Sequence, residues 1–186
     1  FRSKFSCPSG NYGPPVKCVA NNMDALILSD SSFYEGVALC LLEAPVDGNC
    51  YYYGTTFTSF GLLSDWDVSR VTNMSFAFKG SEKFNGDLSK WQTTSATSMD
   101  EMFSGALSFT GSSLGGWDTS SVVSMSGMFL NATSFNQPLS LWDTSQVTDM
   151  SSMFESAVSF AQPVYFWTGS AATSSSGSTS IFASAS

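Results

Sequence analysis

The sequence predicts an α/β protein, a short solenoid of about four 25-residue strand-turn-helix repeats with a disulfide-stapled N-terminal cap. Two observations predict the solenoid and a third predicts the cap. The tryptophans recur every 25 or 26 residues, other apolar residues recur in the same register, and all four cysteines lie within the first 50 residues. Self-similarity with this period is typical of proteins whose units stack on one another.

Five tryptophans, spaced 25, 26, 25 and 25 residues apart, define the register, and four more apolar columns follow it. The columns are Trp66, Trp91, Trp117, Trp142 and Trp167; Leu63, Leu88, Leu114, Leu139 and Val164; Met74, Met99, Met125 and Met150; Phe78, Phe103, Phe129 and Phe154; and Phe84, Phe109, Phe135 and Phe160. The one extra residue falls in the turn-like stretch GSSLGG. We expect these columns to be buried ladders and not a cofactor site.

The internal structure of one unit is clearest in residues 134–157. Leu139, Leu141 and Trp142 predict a short strand after Pro138. A turn closed by an aspartate side chain should follow, because the same Asp-x-Ser pattern recurs between units. The pairs are Asp67 with Ser69, Asp118 with Ser120, and Asp143 with Ser145.

A two-turn helix is expected over residues 150–157, where apolar residues occupy positions i, i+3, i+4 and i+7. These residues are Met150, Met153, Phe154 and Ala157, and Asp149 precedes them as the N-cap, a position held elsewhere by Asn73, Ser98 and Ser124. Such a short helix is unstable alone, so neighbouring units must stabilise it.

The motifs WDVSRVTNMSFAF, WDTSSVVSMSGMF and WDTSQVTDMSSMF, followed by SFNQPLS or KFNGDLS, carry a family likeness over about residues 57–167. They resemble the BspA-like repeat of surface proteins, also described as the mycoplasma lipoprotein-associated repeat. The second unit, WQTTSATSMDEMF, departs from the pattern. The resemblance implies a leucine-rich-repeat-like fold, a secreted or surface-attached location, and an association with adhesion and matrix contact. It implies no catalytic residue.

The chain divides into three predicted regions. Residues 1–55 show no repeat and form the cap, residues 56–167 contain the repeats, and residues 168–186 form a Ser/Thr-rich tail. Within this tail, Ile181, Phe182 and Ala185 repeat the apolar helix pattern with a three-residue delay. We interpret them as a degenerate half-repeat that caps the C-terminal side weakly.

Cysteine usage predicts a secreted protein. An even set, Cys7, Cys18, Cys40 and Cys50, is confined to the cap. Three pairings are possible, and Cys7–Cys18 with Cys40–Cys50 is favoured because each closes a short loop in a turn-like context. A zinc site is disfavoured, since the chain has no histidine and no CxxC spacing. No apolar run reaches membrane-spanning length, and without a recognisable signal segment we expect a processed, mature chain.

The charge distribution argues against nucleic-acid binding and for self-assembly. Only seven Lys and Arg residues are present against a net charge of −8, so no basic groove can form. None of the seven follows Lys90, whereas residues 1–23 contain three bases and no acid. We expect head-to-tail association in which the segment Phe1, Arg2, Lys4 and Phe5 contacts the acidic C-terminal coil around Ile181 and Phe182.

Catalysis is not expected. Without histidine the usual triads are excluded, which leaves carboxylate pairs such as Asp65 with Asp67 or Asp100 with Glu101. Asp67 belongs to a column of equivalent turn residues, which argues for a structural role. Calcium is disfavoured because Gln92 interrupts that column, and no cofactor is expected.

Two sequons, Asn73-Met74-Ser75 and Asn131-Ala132-Thr133, are candidates for N-linked glycans in a eukaryotic source, and the tail is a candidate for O-linked sugar. The sequence therefore predicts a non-enzymatic extracellular or cell-surface structural protein that forms a glycosylated fibre or matrix without membrane insertion. The alternative is an adhesion module that binds host, matrix or cell-surface ligands.

All four cysteines are expected to be oxidised within residues 1–50, because loop closure in a small cap stabilises it. Peptide mass mapping of the secreted protein with and without reduction would check this. Free thiols at any of the four positions would contradict it.

Overall fold

A computed structural model describes residues 28–50, 61–112, 114–173 and 181–182. Helix α1 (Asp30–Glu43) comes first, and strands β1 (Asn49–Cys50) and β2 (Gly61–Leu62) pair antiparallel, with Asn49 opposite Leu62. Short 3₁₀ turns span Leu63–Asp65 and Leu114–Gly116, and a short helix α2 spans Ser170–Thr173. The other described residues form turns and extended segments.

Successive 25-residue segments, called rungs below, are joined by parallel backbone hydrogen bonds. Parallel bridges connect the equivalent residues Asn73, Ser98, Ser124 and Asp149 in order. The register continues beyond each bridge through alternate amides. The N–H groups of Met74, Phe76, Phe78 and Gly80 donate to the carbonyls of Ser98, Asp100, Met102 and Ser104 at 2.7–2.9 Å. Each rung therefore lies directly on the next.

The expected helix over residues 150–157 does not form, and residues 151–156 are consecutive turns. Ser152 and Ser156 have φ values of 55° and 58°, in the left-handed region that an α-helix cannot contain. Amides in this stretch alternate between two uses. The amides of Met153 and Glu155 close i to i−3 turns. The Phe154 amide between them donates instead to the Ile181 carbonyl, outside its own rung. Tertiary bonding thus overrides the local helix pattern.

The same left-handed backbone recurs at two positions in every rung. One column is Phe76, Glu101, Gly127 and Ser152, and the other is Gly80, Gly105, Asn131 and Ser156, with φ between 49° and 72°. Glycine tolerates this conformation without cost, and the other residue types pay a small strain for it. The apolar side chains at the positions between still reach the interior, so the predicted buried face is correct although the predicted helix is wrong.

The expected strand at Leu139, Leu141 and Trp142 is also a turn. The Trp142 amide donates to the Leu139 carbonyl at 3.1 Å, and Leu141 is 79% exposed although Leu139 and Trp142 are buried. Equivalent turns precede Trp91, Trp117 and Trp167. This unit thus lacks the strand and the helix that the sequence predicts. The leucine-rich-repeat-like solenoid stays a prediction.

Phenylalanine rings form two continuous stacks through the interior. Centroids of Phe78, Phe103, Phe129 and Phe154 are separated in order by 5.2, 5.7 and 5.6 Å, with planes within 6° of parallel. Within a rung, the second ring lies close to the first, as at 4.1 Å for Phe103 and Phe109. These distances fall in the favourable range for aromatic pairs and add to the burial of each ring.

Four of the five tryptophans bond to the preceding rung through the indole nitrogen. The Nε1–H groups of Trp91, Trp117, Trp142 and Trp167 donate to the carbonyls of Leu63, Leu88, Leu114 and Leu139 at 2.8, 3.1, 3.1 and 3.4 Å. All five tryptophans are only 2–5% exposed. The indole N–H is thus satisfied where an unpaired donor would be costly.

Helix α1 covers the first rung. Phe33 packs edge-on against Trp91 with centroids 5.6 Å apart, and the Asp30 carboxylate accepts bonds from the Thr72 amide at 2.7 Å and the Thr72 hydroxyl at 2.8 Å. Burial would raise the pKa of Asp30, but these bonds and one from the Asn73 amide outweigh it and lower the pKa. The Asp30 carboxylate therefore binds the backbone amides of Thr72 and Asn73, where the first rung begins.

Trp117→Ala should lower the free energy of unfolding by about 3–5 kcal/mol, because it removes a ring packed between two rungs and the indole hydrogen bond to the Leu88 carbonyl. Leu141→Ala, at an exposed position, should change it by less than about 0.5 kcal/mol. Chemical denaturation of both variants checks this. A Trp117→Ala midpoint equal to that of Leu141→Ala would mean that the tryptophan ladder does not hold the rungs together.

Candidate functional site

A disulfide joins Cys40 of α1 to Cys50 of β1, with the Cα atoms 5.1 Å apart and both side chains buried. This confirms one of the two expected local pairs. Cys7 and Cys18 lie outside the described residues. The bond closes the loop that carries residues 44–48, where the Val46 carbonyl accepts the Asn85 amide at 2.7 Å. It thereby fixes the cap against the first rung.

The carboxylates considered for catalysis are all engaged in structural contacts. Asp65 pairs with Lys90 at 2.5 Å, and Glu101 forms an ion pair with Lys79. Asp100 joins its own rung to the next one, because its carboxylate accepts bonds from Ser98 Oγ, Ser124 Oγ and the Ser126 amide. These groups connect rungs.

The expected aspartate turns are confirmed. Asp67, Asp118 and Asp143 each accept the amide two residues ahead at 2.9–3.0 Å. Hydrogen bonds from Ser69, Ser120 and Ser145 lower the pKa of these three carboxyls. Asp87 makes the same turn with Ser89 at 2.9 Å, which our reading of the sequence missed although the motif DLS carries the Asp-x-Ser signal.

A shallow groove runs beside the first two tryptophans, lined by Asp65, Asp67, Ser69, Lys90 and Gln92. Its Asp65 and Lys90 side chains form an ion pair, and its Asp67 holds a turn. Among the described residues no three His, Cys, Asp or Glu side chains are grouped so that they could hold a metal ion. The groove offers polar contacts without a nucleophile activated by a base.

The two sequons lie in different environments. Asn73 is exposed, but its Oδ1 accepts the Ser75 amide at 3.0 Å, and Ser75 is buried. Asn131 is exposed in a left-handed turn, and Thr133 donates its hydroxyl to the Leu107 carbonyl at 3.2 Å. Asn131 therefore presents its amide at a turn, whereas Asn73 uses it to hold the backbone of the parallel ladder.

Of the residues expected to assemble copies, Ile181 and Phe182 are described, and Phe1, Arg2, Lys4 and Phe5 lie outside the described residues. Ile181 is buried, and its carbonyl accepts the Phe154 amide at 2.9 Å. Phe182 stacks on Phe154 at 5.7 Å and on Phe160 at 6.3 Å, and it is 37% exposed. The two residues thus take the place of a further rung.

The most exposed large apolar side chains lie towards the two ends of the stack. Leu42 of α1 is 75% exposed, and Leu141, Val158 and Tyr165 in the later rungs are 79%, 79% and 88% exposed. Tyr165 contacts Phe166 edge-on at 5.5 Å. Our reading of the sequence did not single out this surface, because the columns that contain Leu141 and Tyr165 hold polar, charged or small residues in the first three units.

Asn131 should carry an N-linked glycan at higher occupancy than Asn73 when the protein is secreted from a eukaryotic cell, because its side chain is not holding the backbone. Glycopeptide mass spectrometry before and after amidase treatment measures both occupancies. Thr133→Ala should remove the glycan at Asn131, with Ser75→Ala as the matched control. Full occupancy at Asn73 and none at Asn131 would contradict the prediction.

None of the helices among the described residues is long and apolar enough to cross a membrane. A search of curated proteins gave no match, and a search of solved structures gave none. The profile of one protein family matches the chain twice, over residues 49–114 and 97–186, which together cover well over half of it. The chain belongs to the family described as Mycoplasma protein of unknown function, DUF285.

Proposed function

We propose that this chain is a non-enzymatic extracellular structural protein whose copies associate head to tail into a glycosylated surface fibre or matrix. The observation that carries the proposal is the aromatic stack, which runs through successive rungs to Phe182 and leaves that ring 37% exposed. A stacked protein makes contacts only between neighbouring units, so another copy can extend it. A head-to-tail contact that does not close into a ring propagates as a filament.

The charge pattern supports a defined direction of assembly. No Lys or Arg follows Lys90, and the late rungs carry the acids Asp149 and Glu155. Residues 1–23 contribute Arg2, Lys4 and Lys17. Within residues 28–50 the cap has acids and no base, so the complementary charge rests on the first 23 residues. Complementary charge steers association and fixes its orientation more than it adds affinity.

Three further observations support the non-enzymatic and extracellular parts of the proposal. The candidate catalytic carboxylates hold turns, ion pairs or neighbouring rungs. The Cys40–Cys50 disulfide is typical of proteins in oxidising compartments. The repeats resemble those of BspA-like surface proteins, which supports a cell-surface location and a leucine-rich-repeat-like solenoid. The partners that we propose are other copies of this chain, N-linked glycans, and O-linked sugar on the tail.

An adhesion module is the second candidate, and the exposed side chains of Leu141 and Tyr165 favour it. They are 79% and 88% exposed, and exposed apolar side chains mark an interaction surface where they form one contiguous patch. The association of BspA-like proteins with adhesion points the same way. The two candidates differ in the partner, which is another copy in one case and a host or matrix ligand in the other.

Deleting residues 1–5 should abolish filaments while leaving the rungs folded, because the segment supplies Phe1 and Phe5 for burial and two bases for orientation. Electron microscopy of the secreted protein over a range of concentrations, with circular dichroism as the folding check, measures both effects. The double variant Arg2→Ala with Lys4→Ala is the matched control for charge, and it should shorten filaments and reduce their salt sensitivity.

Normal filaments from the truncated protein would assign assembly to lateral or glycan-mediated contacts. Dispersed monomers of the intact protein at every concentration, together with binding to cells or matrix that Tyr165→Ala weakens, would favour the adhesion module.

A further inference from the structure

The contact between Phe182 and Phe154 differs from the regular contacts of the column that contains Phe78, Phe103, Phe129 and Phe154. Between regular rungs, the rings of Phe103, Phe129 and Phe154 are within 3° of parallel. Phe182 lies on Phe154 at a similar distance, 5.7 Å, but is tilted by 23°. Regular rings of this column are at most 1% exposed, whereas Phe182 is 37% exposed. The ring occupies the position of a next rung without fitting it closely.

The single ring of Phe182 also stacks on both rings of the Phe154 and Phe160 pair. Every regular rung presents a pair, such as Phe129 with Phe135 at 3.8 Å, and each member stacks on the equivalent member of the next rung. Phe154 and Phe160 form the same pair at 3.8 Å, but the one ring of Phe182 contacts both of them, at 5.7 and 6.3 Å. Phe160 consequently stays only partly buried, unlike Phe84, Phe109 and Phe135.

We propose that Phe154 and Phe160 form a socket for aromatic rings, that Phe182 is an internal plug in this socket, and that residues 1–5 of a second copy displace the plug on assembly. This inference rests on the proposed head-to-tail association and names the contact that makes it. While Phe182 occupies the socket, no other segment can bind there. The apparent affinity for a competing segment is therefore reduced by the fraction of time that the socket is open. The plug therefore lowers the tendency of isolated copies to associate.

The chemistry of residues 1–5 fits this socket. In an extended FRSKF segment, Phe1 and Phe5 lie on one face and Arg2 and Lys4 on the other, because side chains alternate along a strand. One of these two rings takes the position that Phe182 occupies on Phe154. The rung that contains the socket carries Asp149 and Glu155, and the chain has no base after Lys90 to neutralise them. The complementary charges favour this segment over the cap helix, whose outer side carries Glu35.

The test uses the full chain at concentrations below those that give filaments, with a fluorescent peptide of sequence FRSKF as the probe and fluorescence anisotropy as the readout. Phe182→Ala should bind the peptide about fivefold or more tightly than the unaltered chain, because it opens the socket. Filaments of Phe182→Ala should also begin at a correspondingly lower concentration. Tyr165→Ala, which removes a more exposed ring elsewhere, should change neither quantity.

Charge is tested in the Phe182→Ala background. Glu155→Gln should weaken peptide binding about threefold at low salt, and Glu82→Gln, an exposed acid of the first rung, should leave it unchanged. A peptide of sequence ARSKA should not bind. Thermal unfolding of each variant controls for folding, and Phe182→Leu replaces Phe182→Ala if the alanine variant is not stable.

Weaker peptide binding or fewer filaments with Phe182→Ala would overturn the inference, because Phe182 would then be the docking surface itself. Equal peptide binding by Phe182→Ala and the unaltered chain would overturn it too, while filaments that still depend on residues 1–5 would leave the proposed function standing. Tighter peptide binding by Phe182→Ala without filaments under any condition would support the socket and remove the fibre.

Discussion

Everything in this stack depends on how the backbone amides of a rung are divided between two uses. One set closes tight turns inside the rung, and the other set donates to the rung that follows. The two left-handed positions in each rung recur in the same register as this division of the amides. Once the rungs are joined in this way, equivalent side chains are superposed, and the aromatic stacks and tryptophan hydrogen bonds follow from that superposition.

The sequence predicted which residues are buried much better than which elements they form. The columns through Trp117, Phe129 and Met125 are buried as expected, because a repeat in strict register has to place equivalent residues in equivalent surroundings. The spacing of Met150, Met153, Phe154 and Ala157 fits a helix equally well, and it misled us because nothing in single residues such as Ser152 announces a positive φ. Glycine at Gly80 and Gly105 was the available hint.

The candidate site was predictable only in part for the same reason. The Cys40–Cys50 pair and the aspartate turns depend on short sequence separations, which local patterns reveal. The exposure of Tyr165 and the tilt of Phe182 arise where the repeat decays, and a pattern carries least information where it stops being followed. These features at the ends of the stack, where we expect partners to bind, are therefore visible only in the packing of the structure.

The strict correspondence between rungs bears on how such a protein can change its length. The inter-rung bonds recur at equivalent positions of successive rungs, so inserting or deleting one complete unit would leave every remaining residue with the same type of neighbour. Duplication of a 25-residue gene segment would lengthen the molecule in steps of about 4.8 Å without a new fold or a new core. The cap and the terminal ring would be carried along unchanged, which makes molecular length a trait that evolution can adjust separately from the contacts at the ends.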